Sequence, residues 1–366
     1  MKSTIGQNLT ISLFGESHGP GIGCVIDGFP SGMNIDMEFL SAQMDKRRAQ
    51  GSLSTARHEA DQVKFVSGVL NGVTCGTPIC LLIENTSVKS KDYSKMRNVA
   101  RPGHADYTAE IKYGGYQDAA GGGHSSGRLT APLVAAGALC LQLLKERGIQ
   151  IGSHLYKMQE IQDDAFDPIA PEQQIELCNQ KTFSVLNPEA EKKMIERIEQ
   201  ARKNLDSVGA VVQTAITGLP AGIGNPFFHS IESTLSHLIF SIGGVKGIEF
   251  GAGFDFIEKT GSTANDSFEV KDENIVTTTN HNGGINGGIS NGMPMLIQTA
   301  IKPTPSIYQT QKTVDFVKKE PVELTIEGRH DPCIAHRARV VIDSVCAIGI
   351  VDLMMSRSIE LDWMEK

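Results

Sequence analysis

Leu133-Val134-Ala135-Ala136-Gly137-Ala138-Leu139-Cys140-Leu141-Gln142-Leu143-Leu144, closed by Lys145-Glu146-Arg147, is a small and aliphatic run of twelve residues before the charges begin. A membrane span needs about 20, so the run reads as a buried helix. Helical periodicity extends it to Leu129 to Arg147. Immediately before it stands Gly121-Gly122-Gly123-His124-Ser125-Ser126-Gly127-Arg128. Three glycines, two hydroxyls and an arginine thus lead into a helix N-terminus, whose unpaired N–H groups and partial positive charge suit an anion.

Working outward, further helices are expected from Asp36 to Gln50 with Asp36 as N-cap, from Asn187 to Asn204 with Pro188 in the first turn, from Pro226 to Ile242, and from Pro332 to Arg357. Strand-like runs lie at Leu9 to Phe14, Ile22 to Ile26, Val63 to Val66, Pro78 to Ile83, Ala210 to Ile216, Ile248 to Phe250 and Met295 to Ile301. The strands do not alternate strictly with single helices. The pattern therefore fits an α+β fold better than a doubly wound parallel sheet. Lys157 to Phe183, polar and proline-containing, reads as a surface excursion, and no low-complexity linker divides the chain, so residues 1–366 are expected to form a single domain. Two glycine clusters, Gly114 to Gly127 and Gly283 to Gly288, resemble each other loosely and are compatible with an internal duplication.

The net charge of −8 argues against nucleic acid or an anionic membrane as the partner, because both require a positive field. The arginines are nonetheless gathered: Arg47, Arg48, Arg57, Arg101, Arg128, Arg329, Arg337 and Arg339 fall in or beside the Gly/His segments. A guanidinium fork suits carboxylate and phosphate, so a small polyanion is the expected ligand. Seven cysteines without a Cys-x-x-Cys pair suggest free thiols in a reducing compartment, hence the cytoplasm. The spacing of the ten histidines suggests no metal site. Gly19-Pro20-Gly21-Ile22-Gly23 superficially resembles a dinucleotide loop, but a strand follows where that motif needs a helix.

Two more histidines sit among glycines: Gly15-Glu16-Ser17-His18-Gly19 and Arg101-Pro102-Gly103-His104-Ala105-Asp106. Imidazole exchanges protons near neutral pH, which makes both acid–base candidates. On local grounds His18 also reads as a turn histidine and His104 as part of a surface salt-bridge cluster; if the histidines face one pocket, Asp106 would fix the tautomer of His104. Lys302-Pro303-Thr304-Pro305-Ser306 is a second anion-friendly segment, or simply a proline-rigidified turn. Arg47 and Arg48 suit either the anion or the C-terminal dipole of their own helix. In Gly328-Arg329-His330-Asp331-Pro332, Asp331 is a natural helix cap.

Together these segments resemble the chorismate synthase family. The likeness runs from Phe14 to about Val345. It is carried by residues 15–19, Asp61 through Val69 with Gly76 to Ile79, Lys89 to Tyr93, Arg101 to Tyr107, Gly121 to Ala131, Asp206 to Gly209, Val245 to Glu249, Gly283 to Gly292, Lys302 to Ile307 and Gly328 to Cys333. The resemblance implies a sandwich with helices between antiparallel sheets, assembled as a homotetramer. It implies a lyase of the shikimate pathway and aromatic amino acid biosynthesis: anti-1,4-elimination of phosphate from 5-enolpyruvylshikimate 3-phosphate, giving chorismate. The cofactor implied is reduced FMN, a flavin, with NADPH only indirectly involved through flavin reduction.

By motif, the resemblance makes His18 the acid for the departing phosphate with Ser17 in support, His104 the acid on the flavin side, and Asp331 the base there. It places His124, Ser125, Ser126, Gly243, Gly244, Gly287, Lys302, Pro303, Thr304, Pro305, Ser306 and Arg329 on the cofactor, and Arg48, Arg57 and Arg128 on the anionic substrate. The chain departs from the family pattern at Lys46-Arg47-Arg48-Ala49-Gln50-Gly51, at Ala119-Ala120, at Gly243-Gly244 where Asn-Ala is usual, and at His336-Arg337-Ala338-Arg339-Val340, where prolines are usual.

Overall fold

The computed structural model describes residues 2–48, 61–86, 97–326 and 330–364. A first antiparallel sheet holds β1 (Thr4–Ile5), β2 (Thr10–Gly15), β3 (Gly21–Asp27), β4 (Val63–Ser67) and β7 (Ile79–Glu84), in the order β1-β2-β3-β7-β4, with a short hairpin β5 (Val69–Leu70) and β6 (Val73–Thr74) between the last two in sequence. A second holds β8 (Gln150–Met158), β9 (Ile161–Gln162), β10 (Ala210–Thr217), β11 (Val245–Phe250) and β16 (Met295–Ile301), in the order β11-β16-β10-β8-β9. Separate hairpins are β12 (Phe268–Lys271) with β13 (Asn274–Thr277), β14 (Ile285–Asn286) with β15 (Ile289–Ser290), and β17 (Gln311–Asp315) with β18 (Glu320–Leu324).

The helices are α1 (Met37–Arg47), α2 (Asp106–Tyr113), α3 (Thr130–Lys145), α4 (Glu172–Gln180), α5 (Pro188–Lys203), α6 (Ile231–Phe240), α7 (Gly261–Ala264) and α8 (Ala335–Met364). The apolar run of the opening sequence forms α3, which packs on β3 and β7 of the first sheet on one side and on α8 on the other, while α8 packs on β8 and β10 of the second. The order sheet, helices, sheet is the sandwich that was expected. Residues Gly127–Lys145 are long and apolar enough to cross a membrane, but 89 % of the window is buried inside the protein. Packing explains that burial: α3 is apolar all round because it has a layer on each side.

Ile22, Cys24 and Ile26 of β3 and Ile79, Leu81 and Ile83 of β7 face the helices with almost no exposure. The larger side chains contribute roughly 1.5–3 kcal/mol each relative to exposure. The middle of the second sheet is more polar. On β8, Ser153 shares a hydrogen bond with Thr214 (2.8 Å), and His154 is held between Asp163 (2.7 Å) and Gln213 (3.1 Å).

Asp36 caps α1 by accepting from Phe39 N at 2.9 Å, and Asn187 caps α5 from Glu189 N at 2.9 Å, as their sequences predict. Three local expectations are corrected. The Pro226 segment does not start α6; a bridge between Asn225 and His229 closes a turn first, and Ser230 is the cap. Asp331 does not cap α8, which begins at Ala335; its carboxylate pairs with Arg337 instead. The Lys157 to Phe183 stretch is more than a surface excursion, since it contains α4 and buries Phe166, Ile175 and Cys178 against β8 and its neighbours. The two glycine clusters also differ in form: one runs through tight 3-10 turns into α3, the other forms the β14–β15 hairpin.

Candidate active site

β2 and β3 are joined by the turn that carries Ser17 and His18. Ser17 Oγ lies 3.0 Å from His18 Nδ1 and donates to the Ala120 carbonyl at 3.2 Å. With its proton on that carbonyl, the hydroxyl offers a lone pair to His18 Nδ1. Ser17 N also donates to Gly123 O at 3.2 Å, which lays the glycine loop across the histidine. Gly121 and Gly122 take φ of +63° and +100°, conformations that glycine adopts without strain.

His124 is tied into the same junction. Its Nδ1 donates to Gly15 O at 2.8 Å, which leaves Nε2 to accept from Ser3 Oγ at 3.0 Å. The structure therefore gives His124 the task of stitching the glycine loop to the first sheet. Ser126 Oγ accepts from Arg128 N at 3.2 Å and caps the short turn before α3.

A second group of residues meets across the chain. The isolated bridge between Val99 and Asp315 sets the 101–106 turn beside β17, and residues 302–306 connect β16 to β17. His104 Nε2 and Ser306 Oγ, 202 positions apart, lie at 2.8 Å, and Lys302 Nζ donates to Gly103 O at 2.7 Å. A Cβ on Gly103 would meet Pro305 at 2.8 Å. Thr304 O accepts from Ser207 Oγ at 2.7 Å, Pro303 packs over Gly209, and Lys302 N donates to Gly244 O at 2.9 Å, which places Gly243–Gly244 at the foot of this segment.

Asp106 does not fix the tautomer of His104. Its carboxylate is taken by a fork from Arg101, Nε at 2.8 Å and NH2 at 2.7 Å. Burial, then the charges of Arg101, Lys302 and His330, push His104 down to about 4, against the opposing pull of Asp106. His330, whose ring lies 5.1 Å from that of Tyr308, is likewise lowered by burial and Arg101. This histidine is near enough to His104 to act on its charge, although it is not among the expected site residues; its place beside Asp331 in the C-terminal motif is the signal.

The two groups face one cavity of about 250 Å³, lined by Arg101, His104 and Asp106 on one side and by Gly121, Gly122, Ser125 and Ser126 on the other. His18 stands behind the Gly121 wall, since a Cβ there would lie 2.1 Å from its ring. Asp331, 2.5 Å from Arg337 NH1, is anchored to the start of α8, and Arg337 Nε donates to Arg47 O at 2.8 Å.

Other candidates lie differently. Arg128 is 6 % exposed; it pairs with Asp61 and donates to Asn85 Oδ1 at 3.1 Å. Arg48 ends α1 and pairs with Asp45. Gly287 is in the β14–β15 turn, whose Gly288 O accepts from Ile231 N at 3.0 Å, and among the described residues it lines no part of this cavity. Arg57 and Arg329 lie outside the described residues.

Residues 9–355 match the family model described as chorismate synthase. The chain is 41 % identical over 357 residues to a chorismate synthase of Thermococcus gammatolerans, covering 96 % of this chain and 97 % of the relative. It is 42 % identical over 374 residues to one of Lachnoclostridium phytofermentans, covering 100 % and 98 %. A crystal structure of chorismate synthase superimposes with a TM-score of 0.76 at 25 % identity, over 96 % of this chain and 93 % of that one. Nearly the whole sequence and both layers of the sandwich take part in these matches, and the chain belongs to the chorismate synthase family, the lyases of aromatic amino acid biosynthesis.

Proposed function

We propose that the chain eliminates phosphate from 5-enolpyruvylshikimate 3-phosphate in the anti-1,4 sense, giving chorismate, with reduced FMN as cofactor. Membership of the family supports the reaction, and one observation supports the assignment of parts: Ser17 orders His18 behind a side-chain-free glycine wall whose other face shares a cavity with His104. We further propose a cytoplasmic homotetramer that receives its flavin already reduced.

The residues present fit the phosphate of a flavin. Gly121 and Gly122 leave a wall of bare backbone, Ser125 and Ser126 line the same cavity, and Arg101 and Lys302 bring positive charge to the His104 side. Bound there, reduced FMN would lend electron density to the allylic C–O bond and take up the C6 hydrogen. The protein's own part is binding and proton management.

We assign the proton for the departing phosphate to His18 Nε2, with Nδ1 held by Ser17. Without a ligand His104 is neutral at physiological pH, because burial, Arg101 and Lys302 all disfavour its charge. An anion bound against those two cations offsets their part of that bias and so favours a proton on His104 once the cavity is filled. Asp331, paired with Arg337, is the residue we assign as base on that side.

Anaerobic incubation with substrate and photoreduced FMN should release phosphate and chorismate, whereas oxidised FMN alone should not support turnover. His18→Ala and Asp331→Ala should each lower turnover by roughly 10² to 10⁴. Rates near wild type for both variants would overturn the role assignments.

A further inference from the structure

Asn85 follows β7 directly, and its side chain faces the turn that carries the proposed acid. Nδ2 donates to Glu16 O at 3.0 Å and to Gly19 O at 2.9 Å, the carbonyls on either side of Ser17–His18. Its backbone N–H adds a third tie, to Pro20 O at 3.1 Å. The remaining polar atom, Oδ1, accepts from Arg128 Nε at 3.1 Å. Arg128 is in turn paired with Asp61, whose side chain is 1 % exposed and also holds Arg47 NH1 at 3.0 Å. Arg47 then reaches Thr130 Oγ1 (2.9 Å) and Gly127 O (3.2 Å), at the end of the glycine loop.

Both walls around His18 are therefore fastened to one buried charge cluster. The 15–19 turn is fastened through Asn85 and the 121–127 loop through Arg47. We infer that Asn85 is a positioning residue for Ser17 and His18, and that Arg128 and Asp61 serve the reaction by acting through it. A primary carboxamide is the group this place requires, because it must give two N–H bonds to carbonyls and accept one from a guanidinium. A carboxylate would keep the arginine but turn lone pairs on two carbonyls. An apolar side chain would leave both carbonyls and Arg128 Nε without this partner.

The inference rests on the proposed role of His18, so its test carries a readout independent of turnover. Asn85→Ala and Asn85→Asp, in the full chain, are assayed with substrate and photoreduced FMN. In parallel, the rates at which diethylpyrocarbonate modifies His18 and His104 are mapped by peptide mass spectrometry. The expected result is a fall in kcat of about 100-fold, the scale on which small misplacements act, with KM within about threefold. The His18 modification rate should rise severalfold relative to that of His104. Asn85→Asp keeps an acceptor for Arg128 and so keeps the test available should the alanine variant not fold. Unchanged relative reactivity of His18, or a kcat within about threefold of wild type, overturns the inference. Failure of the wild-type protein to release phosphate would instead overturn the proposed reaction, and the modification rates would still decide the positioning role.

Discussion

Gly121 and His18 compete for one volume: a Cβ on Gly121 would stand 2.1 Å from His18 Cε1 and 2.4 Å from Nδ1. The positive φ of Gly121 adds backbone strain to that clash for any other residue. Gly121→Ala should therefore push the imidazole off Ser17 and lower kcat by roughly 10²-fold, as a displacement of about 1 Å does elsewhere. Thermal unfolding should also shift down, since the left-handed backbone costs an alanine about 1–2 kcal/mol. Steady-state kinetics with reduced FMN is the measurement, and activity equal to wild type would show that His18 need not hold this position.

The central helices touch at a point where neither can carry more. On Gly137 of α3 a Cβ would lie 2.3 Å from Ser344 Cβ and 2.5 Å from Ser344 Cα on α8. Gly137→Ala should cost about 1–3 kcal/mol through overpacking, read as a lower urea midpoint. Ser344→Gly on the same chain removes the opposing Cβ, so the double variant should recover part of the loss. Equal stability of the two chains would mean that the helices separate freely, contrary to close packing between layers.

What was legible in the sequence follows from the range of the interactions involved. The caps Asp36 and Asn187 and the apolar run of α3 are local signals, and they survived. The strand β8 carries Gly152, Ser153 and His154 and shows no apolar pattern; its place in the sheet depends on partners at Asp163, Gln213 and Thr214. Asp331 pairs with Arg337 and α8 starts only at Ala335, a choice that a good N-cap sequence cannot reveal. The non-sequential order of the second sheet and the meeting of His104 with Ser306 are equally long-range. Only the family resemblance brought the site residues together in advance. A lone asparagine after a strand, such as Asn85, carries no local mark at all.

The backbone of residues 7–9 is tied to α8 by one carboxylate. Asp352 Oδ1 accepts from Asn8 N at 2.7 Å and Leu9 N at 2.9 Å, and Oδ2 from Gln7 N at 3.0 Å. Asp352→Ala leaves buried donors without this acceptor and should cost about 1–3 kcal/mol. Asp352→Asn keeps one acceptor oxygen and should fall between that variant and wild type. Hydrogen exchange of the Asn8 and Leu9 amides, fast in the alanine variant and slow in wild type, localises the effect. No change in those two amides would assign the anchoring of this segment to β2 instead.

Stability should fall with acid in two separate windows, distinguished by which groups resist protonation. His104 is pushed from 6.5 down to about 4, chiefly by burial and then by Arg101. Burial also lowers His330 and His336, with the guanidiniums of Arg101 and Arg337 respectively adding to it. Each histidine binds its proton more readily in the unfolded chain, so the unfolded state gains protons first as pH drops. Stability is therefore complete above about 6.5 and declines toward about 4, by about 1.4 kcal/mol per pH unit for each proton taken up. Asp106, Asp163 and Asp266 have lowered values despite burial, owing to Arg101, to His154 and backbone N–H groups, and to Asn282 and its neighbours. Their contribution persists through the first window and is lost only below 3.8, as pH falls through their folded values. Urea midpoints between pH 7 and pH 4.5 should drop steadily in wild type and less steeply in His104→Gln. A flat profile across that range would mean that these imidazoles accept protons inside the fold, and with it His104 would lose its neutral resting state.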